Sequence, residues 1–557
     1  MKRQWLAQLP ELLKQHNIKH IVVSPGSRSA PLILHLANYE GLLLYKQVDE
    51  RTAAFIALGM AQKLQQTVAL VCTSGTALLN YGPALAEAYY QHIPLLVLTA
   101  DRPPEWTDQG DGQTMRQYDV FHNYIRKSYT LPVEINHPDD EWFINRILAE
   151  AIQTTQYPVS GPVHINIPLR EPLYQIEENK SEAPAFIETV ISKRIIDNES
   201  FEKLTPIIDK ATKIMILVGL SFPEVISVEL LNKLANYPNI VIVSDIVSNV
   251  YSKQIICASD DIIAGLKDES QYIPDLLISC GGPVLSKRLK NWIRKHRPKE
   301  HWNITETFEI CDTFQCLTKI IPSEINYFLQ QIFFSLTKTE SEYSKCWHSV
   351  FTSIRQNGNN FLQKAEFSDF KAAWIISKNI PEFSALHLAN SMPVRYAHLI
   401  SWPENLHIFA NRGVSGIDGC VSTAVGYSFQ SANFTTIITG DLSMLYDSHA
   451  LWNNQMPGKI RIIVINNGGG GIFRIIDGPG KHPEKQEFFE TPHQLTVNML
   501  AQMHKITYLS ANNEVELTDA LLHLYCDDDS PKLLEIFTQQ EINVNVYKSF
   551  YEYILNN

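Results

Sequence analysis

Short, uninterrupted apolar runs recur along the whole chain, each followed by a stretch of helical character. HIVVS (20–24), TVALVCTS (67–74) and PLLVLTA (94–100) come first, separated by segments such as TAAFIALGMAQKLQ and TALLNYGPALAEAYYQ. A strand without polar alternation is covered on both faces, and its parallel neighbour is reached only through a crossover, usually a helix. The alternation restricts the chain to an α/β architecture built from doubly wound parallel sheets.

The 557 residues exceed what one such sheet needs, and they fall into three blocks. The first spans 1–180 and ends at IEENKSEAPA (176–185), a polar stretch with the composition of a linker. The second spans 190–335, with strands KIMILVGL (213–220), NIVIVSD (239–245) and PDLLISCGG (274–282). A helical and polar stretch leads out of it. The third spans 365–557, with strands SALHLAN (384–390), HIFAN (407–411), FTTIITGD (434–441), IRIIVINN (460–467) and PKLLEIFT (531–538).

Composition removes several function classes. The chain is 45% hydrophobic and 19% charged, as soluble globular proteins are. A net charge of −12 gives no overall basic footprint for nucleic acid. The N-terminal MKRQWLAQLPELLKQHN reads as an amphipathic helix and lacks the apolar h-region of a signal peptide. No apolar run reaches the ~18 residues of a membrane span. Cys72, Cys257 and Cys280 sit in apolar strands, and Cys311 and Cys316 lack zinc-site spacing. The expectation is a cytoplasmic protein with reduced thiols.

The most telling local feature is IRIIVINNGGGGIFRI (460–475), which sets Gly468–Gly471 at the end of a buried strand despite the backbone entropy glycines lose on folding. A Walker A loop would need Lys-Ser/Thr where Ile472 and Phe473 stand, and a GxGxxG fingerprint lacks its third glycine. The preceding strand ends in Gly440-Asp441, with Ser443 near the start of a helix. Neighbouring parallel strands bring their C-terminal ends together, where ligands bind. Asp441 offers a carboxylate oxygen, Asn467 an amide oxygen, and the glycine loop carbonyls and free N–H groups. This donor set suits Mg²⁺ shared with a diphosphate, and a helix start near Ser443 favours phosphate too. Taken alone, Asp441 is better explained as a helix cap, and the glycine run is as well explained as a flexible turn. The pairing of Gly440-Asp441 with Asn466-Asn467 at the next strand end is what favours a cofactor site.

Gly440-Asp441 followed by Asn466-Asn467 resembles the cofactor motif of the thiamine diphosphate (ThDP)-dependent enzymes, although Leu442 stands where that motif usually has a glycine. SPGSRSAPL (24–32), DER (49–51), TSGTA (73–77), LTADRPPE (98–105), NRGVSGIDG (411–419) and GDLSMLYD (440–447) resemble signature stretches of the menaquinone-pathway branch of that family. The likeness covers nearly the whole chain.

The resemblance implies a pyrimidine-binding domain (1–180), a central Rossmann-like domain (190–335) and a diphosphate-binding domain (365–557). It implies ThDP and Mg²⁺, or Mn²⁺ in its place, as cofactors. Asp441, Asn467 and the Gly469 carbonyl would hold the metal. Gly440, Ser443 and Gly470 would line the cofactor, Ile417 would support its bend, and Phe473 would pack beside its pyrimidine. Glu50 would be the catalytic acid that hydrogen-bonds the pyrimidine, helped by an apolar setting that raises its pKa. Without the third block's motif Glu50 is better read as an acid in the first turn of a helix, favoured by the helix dipole.

The implied substrates, 2-oxoglutarate and isochorismate, carry several carboxylates, which suit arginine forks. Arg28, Arg102, Arg395 and Arg412 stand where the family places them, with Ser27, Gln113 and Ser391 as hydrogen-bonding neighbours. Lys287 and Arg288 resemble a basic pair that reaches the site from the middle block. Gly112 departs from the family, where an amide side chain is often found, so one contact to the succinyl carboxylate is missing. In this family the pyrimidine side and the metal side meet across a subunit interface, which implies a homodimer or homotetramer. The implied reaction is decarboxylation of 2-oxoglutarate and 1,4-addition of the succinyl carbanion to isochorismate. Two other readings stay open: another ThDP-dependent 2-oxoacid decarboxylase or carboligase, and a non-catalytic ThDP-binding module.

Overall fold

The computed structural model describes all residues except 1–3, 175–185, 258–259, 268, 338, 454, 476–481, 483, 485 and 557. The expected linker at 176–185 therefore lies outside the described residues. The apolar runs form three six-stranded sheets, every pairing of which is parallel.

The first sheet holds β1 (His20–Val23), β2 (Leu43–Lys46), β3 (Val68–Cys72), β4 (Leu95–Asp101), β5 (Lys127–Thr130) and β6 (Pro162–Pro168), in the order 2-1-3-4-6-5. The second holds β7 (Ile214–Val218), β8 (Ile240–Ser244), β9 (Ile256–Cys257), β10 (Leu276–Cys280), β11 (Glu300–Thr305) and β12 (Lys319–Pro322), in the order 12-11-10-7-8-9. The third holds β13 (Ala385–Leu388), β14 (His407–Phe409), β15 (Thr435–Gly440), β16 (Ile460–Asn466), β17 (Thr507–Ala511) and β18 (Lys532–Phe537), in the order 14-13-15-16-18-17. The first and third sheets thus share one topology, and the middle sheet has the strand order of dinucleotide-binding folds.

The first and third blocks pack as one body. Helix Glu50–Leu64 lies against helix Cys420–Ser428 so closely that a Cβ at Gly59 would sit 1.9 Å from the Thr423 carbonyl, and one at Gly426 would sit 2.0 Å from that of Ile56. Phe55, Ile56, Tyr81, Val421, Val425, Ile437 and Ile462 belong to a single apolar core across this junction. The middle block keeps its own core around Ile216, Ile242, Ile278 and Trp302. Helix Tyr343–Lys364 leads from it toward the third block. Among the described residues no helix is long and apolar enough to cross a membrane.

Candidate active site

Strands β15 and β16 are neighbours, with Gly440 opposite Ile465, so their C-terminal ends open side by side. Gly440 takes an extended conformation and the helix Asp441–Tyr446 starts one residue later, two residues before the position expected from sequence. Asp441 is 3% exposed. Its Oδ2 accepts the N–H groups of Gly468 at 2.9 Å and Gly469 at 3.0 Å, and its Oδ1 accepts the Leu442 N–H at 2.6 Å. The acid therefore folds the glycine run over the start of the helix. Burial pushes its pKa above the ordinary value, and these N–H groups oppose the shift.

The glycine run has a structural reason. Gly468 and Gly469 have φ of +77° and +143°, and a Cβ at Gly469 would lie 2.5 Å from the Glu490 carbonyl. Asn466 shapes the loop, its Oδ1 accepting the Gly468 N–H at 3.1 Å and its amide donating to Glu535 at 2.7 Å. Asn467 donates its Nδ2 to Asp369 at 2.8 Å. This bond fixes the amide so that Oδ1 is the free end, and that oxygen is buried without a partner among the described residues. A buried polar atom left unpaired is costly and asks for a ligand.

A cavity of about 180 Å³ opens at this point. It is lined by Ile417, Gly440, Asp441, Ser443, Asn467, Gly469, Gly470 and Phe473, every residue expected from sequence to touch the metal or the cofactor apart from Glu50, and by Ser391. Ser443 donates to the Ile417 carbonyl at 2.9 Å, which ties the Ile417 loop to the helix. Phe473 packs against Phe489 with ring centroids 5.6 Å apart. Among the described residues no three His, Cys, Asp or Glu side chains cluster to hold a metal. A cation here would use one carboxylate, one amide oxygen and backbone carbonyls, hard oxygen donors that fit Mg²⁺.

Glu50 is not among the residues lining this cavity. It opens helix Glu50–Leu64, and both flanking residues are held by the third block of the same chain. Asp49 caps the helix through the Thr52 N–H and contacts His449 Nδ1. Arg51 donates to the Tyr446 carbonyl at 2.9 Å and stacks on the Tyr446 ring. Glu50 itself is half-buried, and burial, followed by the Asp49 charge, raises its carboxyl pKa against the pull of its own backbone N–H.

The basic residues form two groups. Arg28, 5% exposed, donates to the Leu169 carbonyl at 3.0 Å and pairs with Glu171 at 3.2 Å. Arg102 pairs with Asp111 at 2.6 Å, and the two guanidinium groups are near enough that Arg102, after burial, lowers the pKa of Arg28. Gln113 reaches the Ser74 carbonyl at 3.3 Å, and Ser27 is exposed on the Arg28 loop. The second group adjoins the cavity. Arg395 donates to the Ser391 carbonyl at 2.5 Å and Arg412 to Asn390 Oδ1 at 2.7 Å. Lys287 is exposed at the start of helix Lys287–His296, and Arg288 stacks on Tyr551 at 4.7 Å. A Cβ at Gly112 would meet nothing within 4 Å, so that position has room for the missing amide.

Sequence reasoning missed three neighbours of the site. Asp369, 2% exposed with its pKa pushed up to about 6 by burial, orients Asn467 and accepts from Thr538. Asn390 lines the cavity at the end of β13. His493 Nε2 lies 3.4 Å from Asp441 Oδ2. The residue pattern around Asp369 (SDFK) is that of an ordinary helix start, which gave no signal.

Residues 5–120 match the family described as thiamine pyrophosphate enzyme, N-terminal TPP binding domain. Fold and cavity together make this a thiamine diphosphate-dependent enzyme. The chain is 39% identical to a protein of Cytophaga hutchinsonii over 98% of both chains. It is 40% identical to one of Christiangramia forsetii over 97% of this chain and 96% of the other, and 37% identical to one of Porphyromonas gingivalis over 99% and 97%. All three carry the name 2-succinyl-5-enolpyruvyl-6-hydroxy-3-cyclohexene-1-carboxylate synthase, and this chain belongs to that family.

Proposed function

We propose that the protein decarboxylates 2-oxoglutarate and adds the succinyl carbanion to isochorismate in a 1,4 sense, giving 2-succinyl-5-enolpyruvyl-6-hydroxy-3-cyclohexene-1-carboxylate and CO₂ in menaquinone biosynthesis. The observation that carries the reading is the buried, unpaired Asn467 Oδ1 beside the Asp441 carboxylate in one cavity. The name the relatives carry gives the product, and the substrate pair is the one the sequence resemblance implies; a different carboligase and a non-catalytic module are not favoured.

What bound ThDP supplies is an electron sink for loss of CO₂ and for transfer of the remaining acyl carbanion. In our reading Asp441, Asn467 and the Gly469 carbonyl hold Mg²⁺, or Mn²⁺ in its place, and Gly440, Ser443 and Gly470 hold the diphosphate. Ile417 and Phe473 shape the thiazolium and pyrimidine ends. Glu50 holds a proton on its carboxyl and shares it with the pyrimidine N1′, a role its burial favours. Arg28, Arg102, Arg395 and Arg412, with Lys287 and Arg288, bind the substrate carboxylates, and Ser27, Gln113 and Ser391 add hydrogen bonds.

We further infer that residues 1–180, 190–335 and 365–557 act as pyrimidine-binding, central and diphosphate-binding domains, and that the working unit is a homodimer or homotetramer. The position of Glu50 outside its own chain's cavity supports an interfacial site. Eight cysteines without disulfides fit a cytoplasmic enzyme, and the net charge of −12 speaks against nucleic acid as a partner.

The test is turnover of purified protein with ThDP, Mg²⁺, 2-oxoglutarate and isochorismate, following isochorismate loss and CO₂. Loss that needs all four components is expected. ThDP binding without isochorismate loss would move the activity to another 2-oxoacid.

A further inference from the structure

We propose that Glu87, a residue of the first block, positions Arg412 of the third block for the substrate carboxylate. The inference rests on the reading of Arg412 as a substrate ligand. Glu87 lies on helix Gly82–Gln91 and is 1% exposed. Its Oε1 accepts the Gly413 N–H at 2.7 Å and its Oε2 the Val414 N–H at 2.8 Å. Gln91, one turn on, donates to the same carboxylate and reaches the Ala410 carbonyl at 3.4 Å. One acid from another block thus holds the two backbone N–H groups directly after Arg412.

The opposite side of the loop is held by Asn390. Its Nδ2 donates to the carbonyls of Asn411 at 2.8 Å and Gly416 at 2.7 Å, while its Oδ1 receives Arg412. The loop is therefore gripped by its carbonyls from the third block and by its N–H groups from the first. The grip is tight. A Cβ at Gly413 would lie 2.7 Å from the Glu87 carbonyl and 3.1 Å from its Oε1.

A carboxylate does here what an amide cannot. It offers two acceptor oxygens to two N–H groups, whereas glutamine would turn an NH₂ toward one of them. Among the described residues no positively charged side chain bonds Glu87 directly, and its negative charge faces the loop, where it adds to the larger pull of Asp245 against the repulsion of Arg395 on Arg412. A helix that only needed packing at this point would bury an apolar residue instead of an acid.

The experiment compares Glu87→Gln, Arg412→Ala and the double variant, with full steady-state kinetics for both substrates. Arg412→Ala identifies the substrate it serves by a raised KM. Glu87→Gln is expected to raise the same KM by about tenfold, with kcat falling less than about threefold, as for lost ground-state binding. The double variant should match Arg412→Ala within about twofold, since the two act as one unit. ThDP affinity, read by tryptophan fluorescence, should not move. If Arg412→Ala raises a KM and Glu87→Gln does not, or the two effects add, the role of Glu87 is overturned while the reading of Arg412 stands. Unchanged KM values in Arg412→Ala overturn that reading and this inference with it. Should Glu87→Gln fail to fold, Gly413→Ala strains the same contact from the loop side, and the same KM rise is expected. An unchanged KM there overturns the proposal.

Discussion

The first and third sheets have the same strand order, yet opposite chemistry stands at the ends of equivalent strands. In the third, β15 runs into Gly440-Asp441 and β16 into Asn466-Asn467 and the glycine loop. In the first, β3 runs into Thr73-Ser74-Gly75 and β4 into Asp101-Arg102, with Arg28 after β1. The ends of β15 and β16 gather oxygen donors around a cavity, with Arg395 and Arg412 of the same block beside it, whereas the ends of β1 and β4 bring together the guanidinium groups of Arg28 and Arg102. The topology supplies the location, the open carboxyl ends of parallel strands, and the loops decide whether it takes a cation or an anion.

The comparison breaks most easily at its acids. Glu50→Gln should lower turnover by at least about a hundredfold, the scale of a lost proton-sharing group, while ThDP affinity by calorimetry changes far less. Wild-type turnover in that variant would show that the first block gives only anion-binding groups. Asp369→Ala frees the Asn467 amide to rotate, and the Mg²⁺ concentration needed for half-maximal ThDP binding should rise about tenfold. An unchanged requirement would mean that Asn467 is held without Asp369. Arg28→Ala and Arg102→Ala should raise the KM of a substrate by about tenfold and leave the cofactor untouched, in line with a lost charge-assisted hydrogen bond. A loss of ThDP binding instead would erase the division of labour between the sheets.

Smaller effects sharpen the contrast. Asp447 is buried where it accepts from the Ser422 N–H at 2.7 Å and its hydroxyl at 2.6 Å, and burial pushes its pKa to about 7. A folded-state pKa raised above the unfolded value stabilises most below the unfolded pKa, and that contribution is lost as pH rises through about 7. Tm should therefore fall more steeply from pH 5 to pH 8 in the wild type than in Asp447→Asn, as thermal melts would read. Gly112→Asn, entering open space in the first block, should lower the KM for 2-oxoglutarate by about twofold to threefold, a hydrogen bond's worth at an exposed site. A raised KM would show that the glycine is there for another reason.

The three-block organisation and most central strands were legible because fully buried parallel strands write continuous apolar runs. β6, PVHINIP, was not. It is buried throughout, yet His164 and Asn166 interrupt the run. They are tolerated because Thr99 lies 2.7 Å from His164, Gln117 donates to Asn166 at 2.9 Å, and Asn166 donates to Asp101 at 2.8 Å, partners that only the fold brings near. β9, with two residues, is too short to leave a pattern. The cavity-lining residues Gly440, Asp441, Asn467 and Gly469 stood out because they lie at or just beyond strand ends.

Sequence by itself determined the α/β class, the three blocks and the pairing of GD with NN, since each is written in residues close along the chain. Only the tertiary structure decided that Asp369 turns the Asn467 oxygen inward, that Asp49 and Arg51 anchor the neighbours of Glu50 to the third block, and that Glu87 and Asn390 grip the Arg412 loop from two sides. These contacts join residues far apart in sequence. Each depends on distance and orientation, which a linear pattern of residue types does not carry.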